Sequence, residues 1–192
     1  MPYRGYFSAP FGGVSPCKDV QIYHTESDSW SQGPELNVAR YIPGSTILKS
    51  HLYVFGGATT GDVVINSLEV LSLSWPHKTW ELIQLDVIPA RYLPIVSPTN
   101  DHRLLIMGGR SKDANGRSSR RNDAFLFEIK RKSARAHEVA RGDPYTSYGP
   151  TLLQSNEKVV TGVVDREGYA RVMLYDHKNK EVKALSDLGK CN

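Results

Sequence analysis

A five-residue phrase, Ala39-Arg40-Tyr41-Ile42-Pro43, returns later in the chain as Ala90-Arg91-Tyr92-Leu93-Pro94. Each copy leads through an apolar run to a glycine pair, Tyr53-Val54-Phe55-Gly56-Gly57 in the first and Leu104-Leu105-Ile106-Met107-Gly108-Gly109 in the second. A worn copy runs from Ser147-Tyr148-Gly149-Pro150 to Val159-Val160-Thr161-Gly162-Val163, and a front copy keeps only Phe11-Gly12-Gly13. From each proline to the second position of the glycine pair the gap is 14, 15 and 13 residues. A phrase that recurs with its internal spacing kept marks a repeat, and the repeat constrains the architecture before any single element does.

Between these landmarks the chain reads as short strands. The second unit predicts strands near 44–50, 51–57, 67–73 and 79–85. The third predicts them near 93–99, 102–109, 123–130 and 134–140. In the fourth they fall near 149–155, 158–164, 170–176 and 181–186. The first unit has room for only three, because too few residues precede Phe11. β-branched and aromatic residues gather in these runs, with Gly, Asn, Asp, Ser and Pro between them. Glycine and proline together make up 27 of the 192 residues, which suits many turns and no long helix. A tryptophan follows the third strand in two units, as Trp30 and Trp80, and Tyr175 closes the third strand of the last. The one long insertion, Arg110 to Asn122, lies between the second and third strands of the third unit.

These features together resemble the kelch repeat: a glycine pair closing an apolar strand, an aromatic residue ending the third strand, a tryptophan beyond it, and a period near 50. Gly12, Gly13, Trp30, Gly56, Gly57, Trp80, Gly108, Gly109 and Tyr175 carry the resemblance. It is strongest over residues 36–109 and weakest over 145–190, where Gly162-Val163 stands in place of the glycine pair. It implies an all-β fold, a kelch-type β-propeller. Each unit (about 3–36, 43–85, 93–140 and 149–186) is then a blade of one domain spanning 1–192, four-stranded except for the first. About four blades make either a small closed ring or part of a larger propeller. Glycine at the strand ends then allows close backbone approach or positive φ, and Trp30 and Trp80 are expected as apolar plates between blades.

Function is sought on the face where the second-to-third-strand loops and the links between blades emerge, since loops on a rigid scaffold commonly carry recognition. That face should gather Arg40, Arg91, loop 58–66 and the insertion with Arg110, Lys112, Arg117, Arg120 and Arg121. From Arg110 to Arg141 ten Lys or Arg stand against four acidic residues, a local excess of +6 in a chain whose net charge is +4. Lys130, Arg131, Lys132 and Arg135 are expected on the opposite face. An acidic segment of another protein is the partner such a surface fits. The alternative for the insertion is a mobile, solvated loop. Arg40 and Arg91 carry two readings: contact with a partner, or holding blades in register through backbone groups and a carboxylate.

Other classes find little support. The six histidines show no metal spacing, and no phosphate loop or nucleophile elbow is present. No aromatic platform is interleaved with the basic residues, which argues against nucleic acid. No apolar run suits a membrane span, and Cys17 and Cys191 are the only cysteines. Neither a metal nor a cofactor is expected, and the setting expected is cytoplasmic. An oxidase resembling galactose oxidase is the enzymatic alternative, which by that resemblance needs a cysteine-linked tyrosine and two histidines in the channel. A fragment of a longer kelch protein is another, and an incomplete propeller is expected to self-associate.

Overall fold

The computed structural model describes residues 5–8, 15–74, 79–100, 102–121, 123–137, 146–155, 158–164, 169–176, 179 and 181–190. The first sheet has three antiparallel strands, β1 (Gly5–Ser8), β2 (Gln21–His24) and β3 (Ser29–Gln32). The second is a four-stranded meander of β4 (Gly44–Leu48), β5 (His51–Phe55), β6 (Ser67–Ser72) and β7 (Trp80–Gln84). The third begins with β8 (Ile95–Asn100) and β9 (Arg103–Met107). A separate hairpin follows, β10 (Arg110–Lys112) and β11 (Ser118–Arg120), before β12 (Ala124–Glu128) and β13 (Ser133–His137) complete the third sheet. The fourth holds β14 (Thr146–Ser155), β15 (Lys158–Val164), β16 (Tyr169–Asp176) and β17 (Glu181–Lys190). The first strands of the last three sheets meet, with β8 against both β4 and β14. The sheets are therefore blades packed face to face around their inner strands, as the repeat implies.

Both faces of the middle blades are buried, and the two-residue period of a strand sorts the side chains between them. On β5, Leu52 and Val54 pack toward the first blade with Val20, Leu36, Leu71 and Trp80. Their neighbours Tyr53 and Phe55 pack toward the third with Leu104, Ile106, Phe125 and Phe127. Leu105 and Met107 of β9 then join Ala124, Leu126, Met173 and Tyr175 between the third and fourth blades. A strand covered on both sides reads as a continuous apolar run, which is why each glycine pair is preceded by one. Fully burying each such side chain contributes ~1.5–3 kcal/mol.

The glycine pair is required by both conformation and space. Gly56 and Gly57 have φ of 69° and 95°, and Gly108 and Gly109 repeat this at 62° and 80°. A Cβ on Gly56 would sit 2.4 Å from the carbonyl oxygen of Arg91, and one on Gly57 would sit 2.7 Å from that of Tyr41. The pair thus lets the link entering the next blade lie directly on the end of the strand, where Gly57 N donates to Arg91 O at 2.9 Å. In the fourth unit Gly162-Val163 makes no such turn. β15 runs on to Val164, paired throughout with β16. Gly12 and Gly13 lie outside the described residues.

Trp30 departs from expectation. Trp80 is buried between blades, and its indole N–H donates to Pro34 O at 2.8 Å. Trp30 holds the same register, opposite Tyr23 as Trp80 is opposite Leu71, yet it is 58% exposed. The cause is positional. In the other blades the face that carries this position packs on the blade before it, and among the described residues no blade stands against that face of the first sheet.

Candidate functional site

Arg40 and Arg91, expected among the partner-contacting residues, are fully buried. Their side chains turn inward from the links between blades and serve the second reading made for them. Arg40 donates to Gly56 O at 2.9 Å, to Ser67 O and Oγ at 3.2 Å, and to Glu69 Oε1 at 2.6 Å. Glu69, also fully buried, accepts further bonds from Asn37 N at 2.7 Å and Val38 N at 3.0 Å. Burial draws the Arg40 pKa below the ordinary guanidinium value, opposed by the charge and hydrogen bond of Glu69. Arg91 repeats the device one blade on, donating to Gly108 O at 3.2 Å and to both carboxylate oxygens of Asp123 at 2.9 and 3.2 Å. Its guanidinium carbon also lies 5.3 Å from the centroid of the Phe125 ring. Assigning these two arginines to partner binding is therefore corrected: a guanidinium buried in one ion-paired network is unavailable to a ligand.

The insertion Arg110–Asn122 is a hairpin rather than an open loop. β10 and β11 pair from Arg110↔Arg120 to Lys112↔Ser118. Its tip is closed by Asp113, whose carboxylate accepts from Asn115 N at 2.9 Å and Arg117 N at 2.8 Å. Gly116, at φ 76°, allows the reversal. Two contacts tie the hairpin to the rest of the face. Lys112 Nζ lies 2.9 Å from Asp62 Oδ2, in the loop of the neighbouring blade. The hydroxyls of Tyr92 and Ser118 are 2.6 Å apart. Tyr41 also donates its hydroxyl to Asp62. That hydrogen bond is the main cause that pushes the Tyr41 phenol up to about 12, and bonds from Tyr41 and Lys112 hold the Asp62 carboxyl below its usual range.

The five cations of the hairpin segment divide by use. Arg121 is committed to Asp123, with Nη2 2.5 Å from Oδ2, and shares that carboxylate with Arg91. Burial works against the ionised form of Asp123, but bonds and charge from Arg121 and Arg91 prevail and hold its carboxyl low. Lys112 is paired with Asp62. Arg110 donates through Nε to Ser118 Oγ at 2.7 Å. Arg117 is exposed at the tip. Arg120 is half-buried, and its Nε has no hydrogen-bond partner among the described residues. The face therefore gathers Arg110, Arg117 and Arg120, cations that make no ion pair among the described residues, beside Lys112 and the two tyrosines.

The opposite end of the blades holds a feature the sequence did not reveal. A groove of about 320 Å³ runs between the second and third blades. Tyr53, Val70, Ile83 and Phe127 floor it, and Lys49, His51, His102, Lys132 and Glu81 rim it. Lys132 and Glu81 form an ion pair across the two blades. The expectation that Lys130, Arg131 and Lys132 occupy this end holds, since they lie in the exposed turn between β12 and β13. Its lining residues are drawn from strands and turns of two blades, from Leu48 to Lys132, so no local motif announces it.

Among the described residues no three His, Cys, Asp or Glu side chains come together as ligands for a metal ion. Cys17, the free thiol described, exchanges backbone hydrogen bonds with Arg40. Among the described residues, too, no helix is long and apolar enough to cross a membrane.

No protein-family model matches the chain. Over 69 residues it is 36% identical to a galactose oxidase of Gibberella zeae, a match covering 35% of this chain and 10% of that protein. Over 174 residues it is 25% identical to an F-box/kelch-repeat protein of Arabidopsis thaliana, covering 88% of this chain and 40% of the relative. Its fold is similar to the solved structure of YjhT, with a TM-score of 0.69 and 15% identity over 88% of this chain and 52% of that one. The chain therefore spans a tenth to two fifths of these curated relatives and about half of the solved structure.

Proposed function

Starting from a chain that resembles the kelch-repeat proteins and has the fold of a kelch-type β-propeller, we propose that it is a protein-interaction module. It takes an acidic segment of a partner on the face that carries the β10–β11 hairpin. The observation that supports this is the bracing of that hairpin by Lys112–Asp62 and Tyr92–Ser118. A basic surface held in place loses little conformational freedom on binding, so more of its electrostatic attraction is retained as affinity.

The test replaces Arg110, Arg117 and Arg120 with serine together and measures binding of a poly-glutamate peptide by calorimetry. Affinity should fall about tenfold or more, and binding to the unchanged chain should weaken with salt, because exposed charges are screened over ~8–10 Å. The melting temperature should stay within ~2 °C, since surface substitutions of this kind usually change stability by no more than ~0.5 kcal/mol. Replacing Lys130 and Arg131, at the other end, should leave the affinity as it was. Equal affinity in the triple variant and the parent would refute the role of this face.

A further inference from the structure

The β10–β11 hairpin sorts its cations by side. In a two-stranded ribbon, residues paired across the strands share a side, and so do residues two apart on one strand. The pairs Arg110↔Arg120 and Lys112↔Ser118 therefore stand on one side together. Tyr92 joins that row through its bridge to Arg110, and its hydroxyl lies 2.6 Å from Ser118 Oγ. The other side carries Ser111 and Ser119, with hydroxyls 3.3 Å apart. Arg121 reaches Ser111 Oγ at 3.4 Å. Arg117 lies beyond the paired rows, at the exposed tip.

Two arginines are thus directly opposed. Like charges in opposed positions of a ribbon repel and destabilise it, and neither arginine makes an ion pair among the described residues. Arg110 donates through Nε to Ser118 Oγ at 2.7 Å, a neutral acceptor. Arg120 Nε is buried without a partner among the described residues. The contrast with Arg40 and Arg91 is plain, since each of those is paired with a carboxylate. Lys112, the third cation of this side, is balanced by Asp62. An anion placed between Arg110 and Arg120 would remove the repulsion and supply the acceptors that the pair lacks.

The number of donors selects the anion. A carboxylate has a single charge and two oxygens, which suits one guanidinium fork. A phosphate monoester carries about −1.5 to −2 charge and three acceptor oxygens, enough for two forks at once. The hydroxyls of Tyr92 and Ser118 stand beside it as neutral donors. Lysine would grip the same group only as a point charge, whereas two arginines present planar, bidentate donors.

We propose that this side of the hairpin is a phosphate site, and that the acidic segment it takes carries a phosphorylated serine or threonine. The phosphate lies between Arg110 and Arg120, with Lys112, Ser118 and Tyr92 at its margin. The proposal rests on the reading that the hairpin face takes an acidic segment, and it adds which anion that segment presents.

The experiment is calorimetry with two Glu-rich peptides that differ at one position, phosphoserine in the first and glutamate in the second. The parent chain should bind the phosphopeptide about tenfold more tightly, as added charge-assisted hydrogen bonds predict. Arg110→Lys and Arg120→Lys keep the charge and lose the fork, so each should cut the preference to about threefold or less. Arg117→Ser should weaken both peptides by the same factor and leave the preference in place. Equal affinity of the parent for the two peptides overturns the phosphate site and leaves the acidic-segment reading standing, whereas binding of neither removes both. A preference that survives both lysine variants overturns the assignment to the arginine pair. Vesicles containing a phosphorylated inositol lipid that bind more tightly than the phosphopeptide would assign the site to a membrane surface and overturn the proposal.

Discussion

Replacing Arg40 by alanine should be among the most damaging single substitutions in this chain. The side chain is fully buried, and its removal strands two kinds of group. Glu69 loses its only countercharge among the described residues, the guanidinium at 2.6 Å, and keeps hydrogen bonds from Asn37 and Val38. Gly56 O and Ser67 O lose donors at 2.9 and 3.2 Å. Leaving one partner of a buried ion pair uncompensated costs ~3–5 kcal/mol. The middle of that range, about 4 kcal/mol, is the working figure. For a domain of this size each kcal/mol lowers the melting temperature by ~2–4 °C, giving a fall of about 8–16 °C. Urea unfolding followed by circular dichroism, at pH 7, measures the loss directly. The combined variant Arg40→Met with Glu69→Gln removes both charges and should recover ~1 kcal/mol or more relative to the sum of the single changes, since the two residues share one network. A loss below ~1 kcal/mol in the alanine variant, or strict additivity in the cycle, would refute the reasoning that Arg40 holds the blade entry together through Glu69.

Further outcomes follow from the same geometry. Gly57→Ala should cost ~2 kcal/mol or more, because its Cβ would meet Tyr41 O at 2.7 Å in a left-handed backbone. Gly116→Ala, also left-handed but with open space around it, should cost only ~1 kcal/mol; equal losses at the two sites in chemical denaturation would show that crowding is not what matters. The depressed Asp123 carboxyl adds stability that is fully present above its unfolded pKa and is lost as the pH falls through the lower folded value. Acid unfolding should therefore be shallower in Asp123→Asn below pH 4, from a less stable starting point at pH 7, and parallel acid profiles would contradict this. Trp80→Ala should destabilise by ~3–5 kcal/mol, while Trp30→Ala, at a site 58% exposed, should change stability by less than ~0.5 kcal/mol. Metal analysis of the purified protein is expected to find no stoichiometric copper; its presence would move the functional reading toward an oxidase.

The repeat was legible because its physical causes are local. An apolar run ending in Gly56-Gly57 or Gly108-Gly109 reports a strand buried on both faces whose end is crossed by another backbone. The expected strands of the second and third units agree with β4–β9, β12 and β13 within a few residues at most ends. The hairpin within 110–122 was missed because Ser111, Ser118 and Ser119 carry no β-forming pattern; its pairing depends on the Asp113 turn and on contacts to Asp62 and Tyr92. The groove between the second and third blades had no local signal at all.

By itself the sequence determined the class of fold, about four repeat units and the register within the second and third of them, because alternation and turn chemistry act between neighbouring residues. Only the tertiary structure decided which charges and which aromatics face water. Arg40 and Arg91 resemble surface cations until Glu69 and Asp123, 29 and 32 positions away, are brought beside them. Trp30 and Trp80 occupy the same register in two units, and the difference between 58% and 7% exposure comes from whether another blade stands against that face. Burial is a property of what lies opposite a residue, and in a propeller what lies opposite belongs to another repeat.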